Sequence, residues 1–173
     1  MNRLRAHPRL ATFAVLVLLQ ALVIIGFVVR EERIRATGRE IVLKAVPVDP
    51  RDLLRGDYVI LGYDVQSIPT YKGLGLLRAG DEVYVSLEHV GRYWVVSEYR
   101  PTSLGKPSGA VFITGTIDVI DRDTVRVTYP NLDRYYVPQG TGNLPKPPDA
   151  IVIVDRDGNA RIKRLEIDGK PWP

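Results

Sequence analysis

The sequence predicts a mainly β protein, in which an N-terminal transmembrane helix precedes an antiparallel β-sandwich or barrel-like domain. Two observations support this prediction. A 20-residue run without charge lies near the N-terminus, and period-two apolar segments separated by turn residues follow it. The 173 residues suffice for one substantial core. We therefore expect a cytoplasmic head at 1–9, a transmembrane helix at 10–29, a connector at 30–39 and one extracytoplasmic β domain at 40–173.

The helix prediction depends on the length of the apolar run. Residues 10–29 read LATFAVLVLLQALVIIGFVV, and at about 1.5 Å per residue they span roughly 30 Å, the thickness of the hydrocarbon core. A signal peptide has a shorter apolar region and a small-residue cleavage site, whereas this run continues into Arg30-Glu31-Glu32. We therefore favour an uncleaved anchor in the lipid bilayer. A short basic head is readily retained, which predicts the N-terminus in the cytoplasm and the C-terminal domain outside.

Charge and composition exclude several classes of function. Residues 1–39 hold seven Arg and two Glu, so the remaining chain has 17 Lys and Arg against 18 Asp and Glu. The β domain therefore lacks the basic excess that binding to nucleic acid requires. The chain has no cysteine and only two histidines. A disulfide framework, a thiolate metal site, a cysteine nucleophile and a multi-histidine metal centre are therefore excluded, and no cofactor is predicted.

Strands are predicted where apolar residues alternate with polar ones. Nine segments show this pattern: residues 41–48, 58–65, 82–88, 92–99, 110–120, 124–129, 134–137, 150–155 and 160–167. Short connections at 90–91, 121–123 and 156–159 contain Gly, Asp or Asn. They indicate hairpins, because these residues tolerate the positive φ of tight turns.

A short helical turn is predicted immediately before the second strand. Asp49 can cap the exposed N–H groups of a turn whose first position is Pro50. Gly56 can end this turn, because glycine readily adopts the left-handed conformation. Asp57 then begins the strand. We therefore interpret Arg55-Gly56-Asp57 as a turn-to-strand junction and not as an adhesion tripeptide on a mobile loop.

Side-chain alternation assigns two faces to the strand that follows. The core face carries Val59, Leu61, Tyr63 and Val65, and the other face carries Tyr58, Ile60, Gly62 and Asp64. Gly62 inside the strand indicates a bulge or the close approach of another backbone. In a later strand, the adjacent Tyr135 and Tyr136 cannot both face the core. One of these two tyrosines is therefore predicted to be an exposed contact.

The motif strand resembles a known family. Gly56, Asp57, Tyr58, Leu61 and Tyr63 match Gly-Asp-Tyr-x-x-Leu-x-Tyr, the pattern that names the bacterial GDYXXLXY family. Further segments look like family features: PVDPRD at 47–52, YYVPQG at 135–140, DGNA at 157–160 and IDG at 167–169. The resemblance therefore covers nearly the whole chain.

The resemblance implies a short protein of the bacterial cytoplasmic (inner) membrane with one span, an outer domain and no established activity. Members are often encoded beside multi-pass membrane proteins, which implies such a protein as the partner. The family's later motif is usually Val-Pro-Glu-Gly, whereas this chain has Gln139 in place of the acid. An amide can hydrogen-bond but cannot ionise or transfer the proton, so this substitution argues against an enzyme.

Two other functions remain as alternatives. A membrane-anchored envelope hydrolase of the signal-peptidase type needs a serine nucleophile and a lysine base. The chain offers Ser67, Ser86, Ser97, Ser103 and Ser108 with Lys44, Lys72 and Lys106, none of them in a recognisable nucleophile motif. More generally, such a hydrolase would use residues near Asp57, Tyr63, His89 and Gln139. A cell-wall glycan-binding module would present exposed coplanar aromatic rings.

We expect a non-enzymatic interaction or accessory subunit of a membrane or envelope assembly, without catalytic residues, metal or cofactor. The partner-binding candidates are Asp49, Arg51, Asp52, Arg55, Gly56, Asp57, Tyr58, Leu61, Tyr63, Tyr135, Tyr136, Pro138, Gln139 and Gly140. The charged residues among them can equally be caps and surface ion pairs that fix the turn.

Overall fold

The computed structural model describes residues 8–47, 58–73, 76–138, 144 and 146–172. The chain divides into two compact units, Met1–Thr37 and Gly38–Pro173. The first unit contains the helix α1, and the second contains every strand in the described part of the chain. The predicted helical turn before the motif strand lies outside the described residues.

Helix α1 runs from Pro8 to Thr37 and is longer than the apolar run that predicts it. Its segment Thr12–Val29 has a mean hydropathy of 2.8 and is exposed throughout. By length and composition, this helix can span a membrane. The helix continues through residues 30–37, most of the segment predicted as a connector. Arg and Glu in this segment are good helix formers, and the helix ends immediately before Gly38.

The described part of the second unit contains eleven strands in two antiparallel sheets. The strands are β1 Arg39–Pro47, β2 Tyr58–Tyr63, β3 Ser67–Pro69, β4 Glu82–Val90, β5 Tyr93–Pro101, β6 Val111–Ile120, β7 Thr124–Thr128, β8 Arg134–Tyr136, β9 Asp149–Val154, β10 Ala160–Ile167 and β11 Lys170–Trp172. One sheet has the order β11-β10-β9-β1-β2-β8, and the other has the order β3-β7-β6-β4-β5. This mainly β, antiparallel architecture confirms the predicted fold class.

The two sheets share one hydrophobic core. Alternate residues of β1, namely Ile41, Leu43 and Ala45, point into it and are almost fully buried. Val83, Val85 and Leu87 of β4 enter the same core from the second sheet. At roughly 1.5 to 3 kcal/mol for each large apolar side chain, this shared burial is the main force that holds the two sheets together.

Most strand predictions are confirmed to within two residues at each end, although two strands were not predicted. β3 lies in a segment predicted as a loop, and β11 lies beyond the last predicted strand. Of the two alternatives predicted for Gly62, the bulge is absent from its pairing with β1, because β1 and β2 pair without a register shift across Val46↔Gly62. Register shifts occur instead between β4 and β5 at Ser86/Leu87, between β6 and β7 at Ile117/Val119, and between β9 and β10 at Ile162/Arg164. The close approach of another backbone at Gly62 stays a prediction.

The turn between β9 and β10 joins the two sheets. The Asp155 carboxylate accepts hydrogen bonds from the N–H groups of Asp157 and Asn159, at 2.8 and 2.9 Å, which confirms the predicted hairpin. The carbonyl of Gly158 accepts a 2.8 Å hydrogen bond from the Thr114 N–H of β6. The end of one sheet is thereby fastened to a strand of the other.

Candidate functional site

The structure places six of the predicted partner-binding residues and leaves eight undescribed. The six are Tyr58, Leu61, Tyr63, Tyr135, Tyr136 and Pro138. Asp49, Arg51, Asp52, Arg55, Gly56, Asp57, Gln139 and Gly140 lie outside the described residues. The described members belong to β2 and β8 or directly follow β8, so the candidate site can be built from these two neighbouring strands.

Strands β2 and β8 bring two distant segments of the sequence together. They pair antiparallel in the register Tyr58↔Tyr136, Val59↔Tyr135 and Ile60↔Arg134. The motif strand therefore lies directly beside Tyr135 and Tyr136 of the YYVPQG segment, although about 75 residues separate them in the chain. This pairing could not be read from the sequence, because alternation assigns faces to a strand but does not name its neighbour.

Leu61 and Tyr63 have structural roles that explain their spacing. Both are buried, with 2% and 5% of their surface exposed, as the alternation predicted. The Leu61 N–H donates a 2.9 Å hydrogen bond to the carbonyl of Asp133. The Tyr63 hydroxyl donates a 2.8 Å hydrogen bond to the carbonyl of Leu132. Together they fix the segment that leads into β8.

A second tyrosine makes the reverse connection. The Tyr129 hydroxyl donates a 2.6 Å hydrogen bond to the carbonyl of Val65, just beyond β2. Burial raises the pKa of both the Tyr63 and the Tyr129 hydroxyl well above the ordinary value, so both remain protonated donors at neutral pH. The segments 63–65 and 129–132 are thus tied to each other from both sides.

The outer part of the site consists of the exposed Arg134 and Tyr136 with the half-buried Tyr58, and we call it the Tyr58–Tyr136 surface. Tyr136 is 71% exposed, whereas its neighbour Tyr135 is half-buried against the core. One exposed tyrosine of this pair was predicted, and Tyr136 is that residue. The rings of Tyr58 and Tyr136 lie 6.1 Å apart at 55°, and the Arg134 guanidinium lies 5.6 Å from the Tyr58 ring centroid. The surface therefore combines two tilted rings with a cation.

Comparison with known proteins identifies the family. The profile of the family described as "GDYXXLXY protein" matches residues 20–165, most of the chain. The chain belongs to the GDYXXLXY family. No curated protein and no solved structure matches it. In this GDYXXLXY family member, Leu61 and Tyr63 hold the segment that leads into β8, and Tyr58, the other tyrosine of the motif, is only half-buried.

The residues proposed for a hydrolase do not share one surface of this GDYXXLXY domain, as far as they are described. Tyr63 is buried in the core, and its hydroxyl donates its hydrogen bond to the Leu132 carbonyl. His89 is exposed on β4 of the other sheet, with its ring 5.3 Å from that of Trp94. Asp57 and Gln139 lie outside the described residues. A catalytic role for Tyr63 would require substrate to reach a closed core.

The three lysine candidates have partners other than the serines. Lys72 donates to the Val96 carbonyl, while Lys44 and Lys106 form ion pairs with Asp64 and Asp157. Within the residues that the structure describes, none of the five serines hydrogen-bonds to one of these lysines. The described part of the chain also contains no group of three or more His, Asp or Glu that could hold a metal ion.

The structure reveals one charged cluster that sequence analysis missed. Asp149 of β9 and Glu166 of β10 lie directly opposite each other, and Arg92 of the β4–β5 turn contacts both, at 3.0 and 3.4 Å. Arg164 contributes two nitrogens, each 2.8 Å from the Glu166 Oε1. A hydrogen bond to Asp149 raises the pKa of Tyr93 in the same cluster. No local sequence signal links these residues, because their contacts depend on sheet order.

The two carboxylates of this cluster are largely buried. Only 16% of the Asp149 side chain and 11% of the Glu166 side chain are exposed. Like charges opposite each other destabilise a sheet unless a cation lies between them. Because Arg92 belongs to the five-stranded sheet and the acids belong to the other, this cluster joins the sheets. We therefore interpret it as a structural ion network.

Proposed function

We propose that this protein is a non-enzymatic interaction subunit, anchored by α1 in the bacterial cytoplasmic membrane with its N-terminus inside. Its β domain lies outside the cytoplasm and binds an extramembrane part of a multi-pass membrane protein through the Tyr58–Tyr136 surface. The observation that supports this proposal is the 71% exposure of Tyr136 where the two family segments meet. Tyrosine and arginine are enriched among the residues that contribute most to protein interfaces.

The Tyr58–Tyr136 surface lies far along the strands from the residue at which the β domain begins. β1 begins at Arg39, two residues after α1 ends, and its nine residues extend about 30 Å to Pro47. Pro47 pairs with Leu61, so Tyr58 lies three residues farther along the ladder. Measured along these strands, the Tyr58–Tyr136 surface is remote from the residue that joins the anchor.

The geometry favours a protein partner over a sugar ring. Glycan-binding sites offer an aromatic platform on which the flat face of a sugar stacks. Here the two rings are inclined at 55°, and Arg134 lies over one of them. A cation beside two inclined aromatic rings instead suits carboxylate, aromatic or backbone groups of a protein.

Site-specific photocrosslinking in intact membranes tests the proposal. A photoreactive phenylalanine is placed at position 136 of the full chain, and the matched control carries it at Tyr71, which is 82% exposed. We expect one defined adduct with a membrane protein from position 136 and none from position 71. In detergent-solubilised membranes, Tyr136→Ala should lower recovery of that protein at least tenfold, while Tyr71→Ala should leave recovery unchanged. Equal adducts from both positions, or none, would contradict the proposal.

A further inference from the structure

Strand β8 ends the six-stranded sheet and presents one edge without a partner strand among the described residues. Hydrogen bonds alternate along an antiparallel pair, so the bond from Leu61 N–H to the Asp133 carbonyl fixes the pattern for β8. Val59 and Tyr135, two residues farther along, form the next hydrogen-bonded pair. The backbone N–H and C=O groups of Arg134 and Tyr136 therefore point away from β2, towards the outer edge.

The other sheet edges are protected in ways that β8 is not. The edge strands β3 and β11 each contain a proline, Pro69 and Pro171, which removes a backbone donor. The long edge strand β5 is covered, because Lys72 donates to the Val96 carbonyl and Gly73 forms a β-bridge with Tyr99. Within the described part of the chain, β8 is the edge strand that contains no proline and has no such cover.

We infer that β8 accepts an extended segment of the partner as a seventh strand of this sheet. The inference rests on the proposed function and specifies how the Tyr58–Tyr136 surface binds. The incoming backbone hydrogen-bonds with Arg134 and Tyr136, and its side chains on the same face contact the Tyr136 ring and the Arg134 guanidinium. An acidic or aromatic residue beside Arg134 and a β-branched or aromatic residue beside Tyr136 fit this register.

The short length of β8 is compatible with this mode of binding. Three residues offer few backbone hydrogen bonds, so affinity in free solution would be modest. When both proteins are anchored in one bilayer, the effective concentration can reach about the millimolar range, and a weak contact becomes well occupied. The three-residue strand also limits unwanted pairing with other extended chains.

Two variants at position 134 separate the backbone contribution from the side chain. Arg134→Ala removes the guanidinium and keeps the N–H, whereas Arg134→Pro also removes the N–H that points to the outer edge. Because this N–H makes no bond to β2, proline is compatible with the sheet. With the photoreactive residue at position 136 of the full chain, Arg134→Pro should give at least tenfold less adduct than Arg134→Ala. Equal yields from the two variants would overturn strand addition.

Amide hydrogen exchange provides a second measurement, which holds even if Arg134→Pro fails to fold. In the purified adduct of the protein that keeps Arg134, the amides of Arg134 and of the photoreactive residue at position 136 should exchange at least tenfold more slowly than in the same protein before crosslinking, while the Tyr135 amide, already bonded to β2, should change little. Unchanged exchange at 134 and 136 would overturn strand addition but leave a side-chain contact at Tyr136 intact. Absence of any adduct from the photoreactive protein that keeps Arg134 would instead overturn the proposed function.

Discussion

The tyrosines of the site divide their roles according to the face on which each lies. Tyr63 and Tyr129 bury their rings and donate to backbone carbonyls of each other's segments. Tyr58 and Tyr136 lie on the opposite face, where their rings contact each other and Tyr136 is open to solvent. Within one motif, Tyr63 therefore supports the fold, while Tyr58 contributes to a surface.

We expect Tyr63→Phe to lower the free energy of unfolding by about 1 to 3 kcal/mol, because the buried Leu132 carbonyl would lose its donor. Tyr71→Phe removes a hydroxyl from an exposed side chain and should change stability by less than about 0.5 kcal/mol. Urea denaturation of the full chain in detergent, followed by tyrosine and tryptophan fluorescence, measures both. Equal stability of Tyr63→Phe and wild type would show that the hydroxyl contributes nothing.

At the scale of elements, the β9–β10 turn shows why its glycine is required. Gly158 has a φ of +82°, a backbone conformation that residues other than glycine rarely adopt. A Cβ at this position would also lie 2.7 Å from atoms of both Phe112 and Thr114. The turn thus depends on glycine both for its conformation and for its close contact with β6.

Gly158→Ala should therefore destabilise the protein by about 3 kcal/mol, through backbone strain and overpacking together. Gly91 in the β4–β5 turn is a matched control, because its φ is +62° but a Cβ there would meet nothing within 4 Å. Gly91→Ala should cost only about 1 to 2 kcal/mol. Thermal and urea unfolding of the two variants compare these costs. Equal losses would mean that contact with β6 adds no constraint.

At the scale of the whole β domain, the two sheets are joined by polar links as well as by the core. Arg92 reaches from the β4–β5 turn to Asp149 and Glu166, and Lys106 pairs with Asp157 of the β9–β10 turn. The Lys106 pair is well exposed on both sides and should contribute little. The Arg92 network lies against largely buried carboxylates, so its loss would leave two like charges facing each other.

Arg92→Met is expected to destabilise the β domain by about 1 to 3 kcal/mol, less than for a fully buried pair because Arg92 is half-exposed. Lys163→Met, which breaks the exposed pair with Glu40, should cost less than about 0.5 kcal/mol. Urea denaturation again provides the measurement. Adding Asp149→Asn to Arg92→Met should recover part of the loss, because it removes one of the opposed charges. No recovery would show that Arg92 acts through packing alone.

Apolar alternation along the chain predicted most of the strands. It failed for β3 and β11, where proline signals conflict with strand formation. Alternation located β2 and the burial of Tyr63, because both depend only on neighbours along one strand. β3 and β11 are three residues long and contain Pro69 and Pro171, which normally indicate a break in a strand.

The composition of the candidate site was only partly predictable. One of Tyr135 and Tyr136 had to be exposed, but alternation did not say which. The contact between Tyr58 and Tyr136 follows from the pairing of β2 with β8, and the Arg92 network follows from the packing of one sheet against the other. Such contacts arise between residues far apart in the chain, and their formation depends on the global arrangement of strands.

The hydrogen bonds behind β8 reduce the conformational entropy that the proposed binding would have to remove. Tyr129, Leu132 and Asp133 are each bonded to the β2 region before any partner arrives. The backbone that carries Tyr136 is therefore already ordered, and chiefly side-chain rotamers remain to be restricted, at about 0.5 to 1.5 kcal/mol for each flexible side chain. The buried residues Leu61 and Tyr63 of the family motif thus help to preorganise the strand that carries Tyr136.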